Sequence, residues 1–161
     1  MIRHCVPSDA AAICAIYNDF VRRTIVTFEE EPVTVSAMAE RIAGLSSRLP
    51  WLVWEQDGRV DGYAYAAPWR SRASYRKSVE TTVYVADSAV RRGIGTALYQ
   101  ALIEDLRERG LHAVVGGIAL PNPASVALHE KLGFRQVGQL REIGRKLDRW
   151  IDVGYWERLL R

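Results

Sequence analysis

From Val83 to Thr96 the chain reads Val-Tyr-Val-Ala-Asp-Ser-Ala-Val-Arg-Arg-Gly-Ile-Gly-Thr. An apolar, β-branched stretch runs into a basic, glycine-rich turn, and the spacing predicts an amphipathic helix from Ala97 to about Arg109. A strand, a glycine loop and a helix N-terminus in this order suit a phosphate group. Glycines let the backbone approach a ligand, and the free N–H groups and dipole of the first helical turn favour negative charge. Gly93-Ile94-Gly95 lacks the third glycine of a dinucleotide fingerprint and the Gly-Lys-Ser/Thr of a P-loop. By its own residues the loop fits a structural turn as well as a ligand cradle. Further on, Asn122 and Ser125 open a second helix that ends Leu128-His129-Glu130-Lys131-Leu132-Gly133-Phe134.

Other elements must hold these residues in place. Ile2 to Val6 reads as a short strand. Ser8 or Asp9 can cap a helix reaching about Arg23, with Ile13, Ile16, Tyr17 and Phe20 at helical spacing. Thr24 to Val33 is irregular, and a second helix capped near Thr34 carries Met38, Ile42 and Leu45 on one face. Trp51–Trp54 and Val60–Ala67 flank Asp57-Gly58, a hairpin signal. Pro68 to Lys77 is a basic, aromatic loop before a strand at Val79–Val85. Ala113–Ile118 is a further strand, a helix runs from about Ala124 to Leu132 before Gly133, and Phe134–Gly138 and Val153–Leu160 read as final strands. The pattern implies an α/β protein: a mixed sheet of about seven strands with helices on both faces.

The 161 residues suit a single domain, residues 1–161, with no linker, repeat or low-complexity tract. The apolar share of 48% and charged share of 25% are those of an ordinary globular chain. No apolar run approaches the ~20 residues of a bilayer span, and Met1-Ile2-Arg3-His4-Cys5 shows no signal-peptide pattern. Cys5 and Cys14 make neither a disulfide framework nor a metal site, so reduced thiols, a cytoplasmic setting and no metal are expected. The net charge of +3 is interspersed with acids, as in Glu104-Asp105-Leu106-Arg107-Glu108-Arg109, and no nucleic-acid motif accompanies it.

The order strand, glycine loop, helix, strand, Asn-led helix and Gly-Phe resembles the GNAT acetyltransferases over nearly the whole chain. Val79-Glu80-Thr81-Thr82-Val83-Tyr84-Val85, Leu128-His129-Glu130 and Gly144-x-Lys146-x-x-Arg149-Trp150-x-Asp152 are similar to the phosphinothricin and methionine sulfoximine/sulfone acetyltransferases, as are Tyr17-Asn18 and Phe28-Glu29-x-x-Pro32. The loop departs from the superfamily in carrying Val90 where Gln or Arg is usual. The helix after Asn122 carries His129 where many members have a tyrosine. The resemblance implies acetyl-CoA as donor, bound by Val83, Tyr84, Val85, Arg91, Arg92, Gly93, Ile94, Gly95, Thr96, Asn122 and Lys131. It implies transfer to the α-amino group of a small amino-acid-like acceptor, with Glu80 as base. Tyr84 and His129 compete to protonate the leaving thiolate. For the acceptor, Phe28, Glu29, Ala73, Ser74, Tyr75 and Arg76 are the expected contacts. Arg76 is a carboxylate clamp, and Trp69 and Arg70 could serve the same pocket.

Other readings are an acetyltransferase for a protein N-terminus or a polyamine, a non-catalytic acyl-CoA module, and a nucleic-acid binder. The basic Arg70–Lys77 loop argues against a polyamine, and Glu80 beside the loop argues against a non-catalytic module. Family resemblance and the apolar Val153–Leu160 segment suggest a homodimer. The residues do not name the natural acceptor.

Overall fold

The computed structural model describes residues 1–161. The elements are β1 (Ile2–His4), α1 (Ala10–Arg23), α2 (Val35–Ser46), β2 (Trp51–Gln56), β3 (Arg59–Pro68), β4 (Ser78–Val85), α3 (Ile94–Glu108), β5 (Ala113–Leu120), α4 (Pro123–Lys131), β6 (Arg135–Lys146) and β7 (Arg149–Leu159). The seven strands form one sheet in the order β1-β2-β3-β4-β5-β7-β6. Every neighbouring pair is antiparallel except β4 and β5.

Two cores lie on opposite faces of the sheet. Ile13, Cys14, Tyr17 and Val21 of α1 and Met38 and Ile42 of α2 pack on Trp51, Val53, Tyr63 and Tyr84. On the other face α3 buries Ile94, Leu98, Tyr99, Leu102, Ile103 and Leu106 against Val79, Val114, Ile118 and Trp156. That spacing is one stripe of a helix, and each buried leucine contributes about 1.5–3 kcal/mol of transfer free energy. Thr34 caps α2 by accepting from Ala37 N–H (3.1 Å), and Asn122 caps α4 by accepting from Ser125 N–H (3.1 Å).

The predicted element order is observed, with two corrections. Helix α3 begins at Ile94 rather than Ala97. Gly93 adopts φ +76°, which turns the chain straight into the helix and seats Ile94 in the core. The last two strands are much longer than predicted and form a continuous hairpin. Its turn is Leu147-Asp148, with both residues left-handed at φ 49° and 56°. Neither is a glycine, so the usual turn signal is missing. Strand β7 is internal, between β5 and β6, and the apolar side chains of Val153–Leu160 that suggested a dimer surface include the buried Trp156 and Leu160.

Candidate active site

The parallel ladder between β4 and β5 is confined to Ser78–Ala113, Val79–Val114 and Glu80–Val115. Beyond Glu80 the strands part, while β4 stays paired with β3 to Val85 and β5 with β7 to Leu120. The sheet therefore forks at its centre, and each prong has one unpaired backbone edge. Ala86 N–H donates to Asp61 C=O (2.8 Å) and Trp69 N–H to Ser78 C=O (3.2 Å). Antiparallel ladders alternate, so the even-numbered residues of β4 spend their backbone groups on β3. Thr81 N–H closes the last rung to Val115, and beyond it the C=O of Thr81 and the N–H and C=O groups of Val83 and Val85 face the fork. This corrects the expected set of backbone contacts: Val83 and Val85 qualify, whereas Tyr84 pairs with Tyr63.

Side chains on β4 alternate as well. Val79, Val83 and Val85 pack towards α3, and Tyr84 packs towards α1. Glu80 shares the face of Tyr84. The fork opens into a cleft of about 530 Å³ that crosses the sheet, lined by Tyr17, Phe28, Tyr65, Glu80 and Tyr84 on one side and by Ser125 and His129 on the other. Glu80 is half-buried at its base. Burial pushes its carboxyl above the usual range, and the charge of Arg70 pulls against that shift. Tyr84 is buried edge-on to Phe20 (4.9 Å) and Tyr17 (5.4 Å), and burial raises its phenol, so the hydroxyl keeps its proton.

His129 is also buried, and both ring nitrogens are engaged. Its Nδ1 lies 2.7 Å from Ser125 C=O, an acceptor, so Nδ1 carries the proton. Nε2 then accepts from the Tyr99 hydroxyl at 2.9 Å, and Tyr99 meets Thr81 Oγ1 at 2.5 Å. Burial holds the imidazole below its ordinary pKa and therefore neutral. Tyr99 and Thr81 carry no sequence signal for this role, because the link to His129 spans two helices and a strand.

On the donor side Arg91 is left-handed at φ 64° and Gly93 at φ 76°. Gly95 has an ordinary φ, and an added Cβ would meet only Val85 (3.6 Å) and Leu128 (3.8 Å) at van der Waals distance. Neither conformation nor packing demands glycine there, which fits a ligand passing close to the start of α3. Arg92 does not point freely outward. Its guanidinium meets the buried Asp61 (3.6 Å) and Gln56. Thr96 sits in the first turn of α3, Asn122 heads α4, and Lys131 ends α4 beside Gln100 and Arg107. The open β4 edge, the left-handed turn and the space at Gly95 form one track from the cleft to the α3 N-terminus, and they fit a thioester arm with a phosphate end.

The acceptor face is held by long-range side-chain contacts. Glu29 accepts two bonds from Arg41 (2.6 and 2.8 Å) and one from Tyr17, and Arg41 holds its carboxyl below the usual range. Glu29 is thus a brace for the Thr24–Val33 loop rather than a free ligand group. Buried Lys146 donates to Thr27 C=O (2.8 Å), fastening that loop to β6. Phe28 reaches the cleft, but the expected clamp does not. Ala73, Tyr75 and Arg76 line a separate cavity of about 940 Å³ with Arg48, Arg72 and Lys77. The reason is geometric: the loop leaves β3 at Pro68 and rejoins at Ser78, so its tip, Ser74 included, hangs beyond the N-terminal end of β4. Trp69 and Arg70 stand between the two cavities. Trp69 packs edge-on to the cleft residue Tyr155 (5.8 Å), and Arg70 covers its ring (4.6 Å).

Residues 2–154 match the acetyltransferase (GNAT) domain family. The chain is similar to phosphinothricin N-acetyltransferase of Streptomyces viridochromogenes, 43% identical over 98% of this chain and 86% of that protein. It is similar to an L-methionine sulfoximine/L-methionine sulfone acetyltransferase of Pseudomonas aeruginosa, 40% identical over 97% of this chain and 92% of that protein. In structure it is similar to a GNAT superfamily phosphinothricin acetyltransferase from Sinorhizobium meliloti in complex with acetyl-CoA, with a TM-score of 0.96, 34% identity, and coverage of 99% and 87% of the two chains.

Proposed function

The chain belongs to the GNAT acetyltransferases, and from that membership we infer the acceptor and the roles of its site residues. It is an acetyl-CoA-dependent N-acetyltransferase that moves an acetyl group onto an amine. The acceptor we propose is a small amino-acid-like amine of the phosphinothricin, methionine sulfoximine or methionine sulfone type. The observation that carries this reading is the position of Glu80. Its half-buried carboxylate stands at the base of the fork, on the acceptor face, where the free edge of β4 begins.

Bound acetyl-CoA supplies an activated acetyl thioester along the track from the cleft to the α3 N-terminus. An amino acid is mostly ammonium near neutral pH and must lose a proton before it attacks. Glu80 takes that proton, directly or through one water, and its raised pKa brings it closer to the pKa an effective base needs. The N–H groups of Val83 and Val85 face the fork and can donate to a carbonyl oxygen as it gains charge. Removing one such donor typically costs ~3 kcal/mol. Tyr84 is our assignment for the group that protonates the departing thiolate, because its side chain lines the cleft while both nitrogens of neutral His129 are already bonded. Arg70, whose charge reaches Glu80, takes the acceptor carboxylate, with Tyr75 and Arg76 behind it in the adjoining cavity. Arg91, Gly93, Ile94, Gly95 and Thr96 take the pyrophosphate, and Asn122 and Lys131 flank the donor.

The chain acts as one domain, in the cytoplasm, as a homodimer. Strand β6 is an exposed sheet edge. Val137, Leu140 and Ile143 on it and Leu147 and Trp150 at the turn are between 46% and 62% exposed. An apolar, unpaired edge of this kind favours self-association. Sedimentation at micromolar concentration tests the dimer. A thiol-release assay with acetyl-CoA across amino acids, their sulfone and phosphinic analogues, polyamines and N-terminal peptides tests the acceptor. Turnover confined to peptides or polyamines would overturn the small-acceptor reading.

A further inference from the structure

Gly116 and Gly117 of β5 lie just past the last residue pair that joins β5 to β4. A glycine in a strand interior weakens the strand and needs a reason. Conformation is not the reason, since neither residue has a positive φ. Successive strand residues face opposite sides of a sheet, and each of these glycines faces a different candidate catalytic side chain. A Cβ on Gly116 would lie 2.7 Å from His129 Cδ2 and closer still to Nε2. A Cβ on Gly117 would lie 3.2 Å from Glu80 Oε1 and 3.4 Å from the Tyr155 ring.

We propose that the Gly116-Gly117 pair is a two-sided clearance in which Gly116 positions His129 on one face of the sheet and Gly117 positions Glu80 on the other. His129 cannot yield easily to a methyl group. It is buried, and its ring is fixed by Ser125 C=O and the Tyr99 hydroxyl. Displacing it breaks the His129–Tyr99–Thr81 chain, and Thr81 sits on the β4 prong itself. On the other face the close approach of Glu80 to β5 keeps the carboxylate at the base of the fork. A methyl at 117 would either push that carboxylate out of line or replace adjacent water with hydrocarbon, which disfavours its charged form. The two glycines are therefore positioning residues, acting through the groups whose space they leave. The role of Glu80 rests on the reading above, whereas the clearance itself can be measured without it.

The experiment is a pair of double-mutant cycles followed by melting temperature, kcat/KM and pH profile. For the first face, Gly116→Ala is expected to lower the melting temperature and to cut kcat/KM at least tenfold. His129→Ala/Gly116→Ala should be no worse than His129→Ala alone. If Gly116→Ala fails to fold, recovery of folding in the double variant supports the same conclusion. Equal damage from Gly116→Ala in both backgrounds overturns it. For the second face, Gly117→Ala should move the acid limb of the kcat/KM profile to higher pH, with acetyl-CoA affinity unchanged. In a Glu80→Ala background the same methyl should leave the residual rate unaltered, whatever melting loss the Tyr155 ring imposes. An unmoved acid limb with unchanged kcat/KM, or an equal loss of kcat/KM without the Glu80 carboxylate, overturns the role of Gly117. If His129→Ala is itself fully active, the contact of Gly116 with His129 bears on folding alone, and the melting data still decide whether the clearance exists.

Discussion

The two sides of the active site are built by opposite means. The donor side we propose consists of backbone: the free edge of β4 at Val83 and Val85, the left-handed turn at Arg91–Gly93, and the open space at Gly95. The acceptor side consists of side chains drawn from separate segments: Tyr17 on α1, Phe28 on a loop, Tyr65 on β3, Glu80 on β4 and Tyr155 on β7. A backbone site tolerates changes in side-chain identity and binds one constant ligand. A side-chain site changes its ligand with each substitution. One fold can thus keep its donor while its acceptor varies.

Four substitutions test this division, and the largest effect falls where the two sides meet. Glu80→Gln should lower kcat by about 10²–10⁴-fold and abolish the acid limb of the pH profile. Calorimetric affinity for acetyl-CoA should stay within about threefold, a change of under ~1 kcal/mol. A parallel loss of donor affinity would mean that Glu80 shapes both sides. Gly95→Trp acts on the donor side alone. Filling the space beside the α3 N-terminus should weaken acetyl-CoA by about a hundredfold, ~3 kcal/mol, with little change in melting temperature. Unchanged affinity would remove the track from the donor site.

Lys146→Met is the acceptor-side counterpart. It leaves Thr27 C=O without its partner and loosens the loop that carries Phe28, at a stability cost of about 1–3 kcal/mol. Acceptor KM should rise several-fold while acetyl-CoA KM holds, and equal rises in both would break the division. Arg70→Met has the mildest effect on kcat. Arg70 lowers the pKa that burial has raised, so its removal lets the Glu80 pKa rise further. Glu80 must be ionised to accept a proton, so kcat should fall on the acid side of the profile and return at high pH, while acceptor KM stays raised at every pH because the carboxylate has lost its partner. A limb that moves downward would contradict the sign of this coupling.

The same division governs what the sequence discloses. The donor side occupies Val83–Thr96 and the Asn122–Phe134 stretch, both contiguous, and its glycines and caps are local chemistry that a linear pattern displays. Element order follows from the same local signals, as at Asp57-Gly58, where both turn residues are left-handed as a tight hairpin requires. The acceptor side depends on contacts distant in sequence. Lys146 reaches Thr27, and Phe28 lies where a Cβ on Gly144 would stand. No pattern in either segment announces its partner. The Ser74–Arg76 loop is instructive in the opposite sense. Its residue types suit a carboxylate and it precedes Glu80 closely in sequence, yet the direction in which it leaves the sheet carries it into a different cavity. The Leu147-Asp148 turn carries no sequence signal because two non-glycine residues hold the left-handed conformation, with the strands on either side fixing the turn.

The short junction between β4 and β5 also has a mechanical side. A four-stranded and a three-stranded half-sheet meet through three residue pairs, so the seam between them is the shortest ladder inside the sheet, matched only by the edge strand β1. A donor lying along the free edge of β4 occupies the place of a missing ladder. In the binding mode we propose, acetyl-CoA is an architectural component as well as a reactant. Amide protons of Val83 and Val85 should exchange readily in the free enzyme and slow markedly when the donor is bound, as the two halves become one continuous sheet.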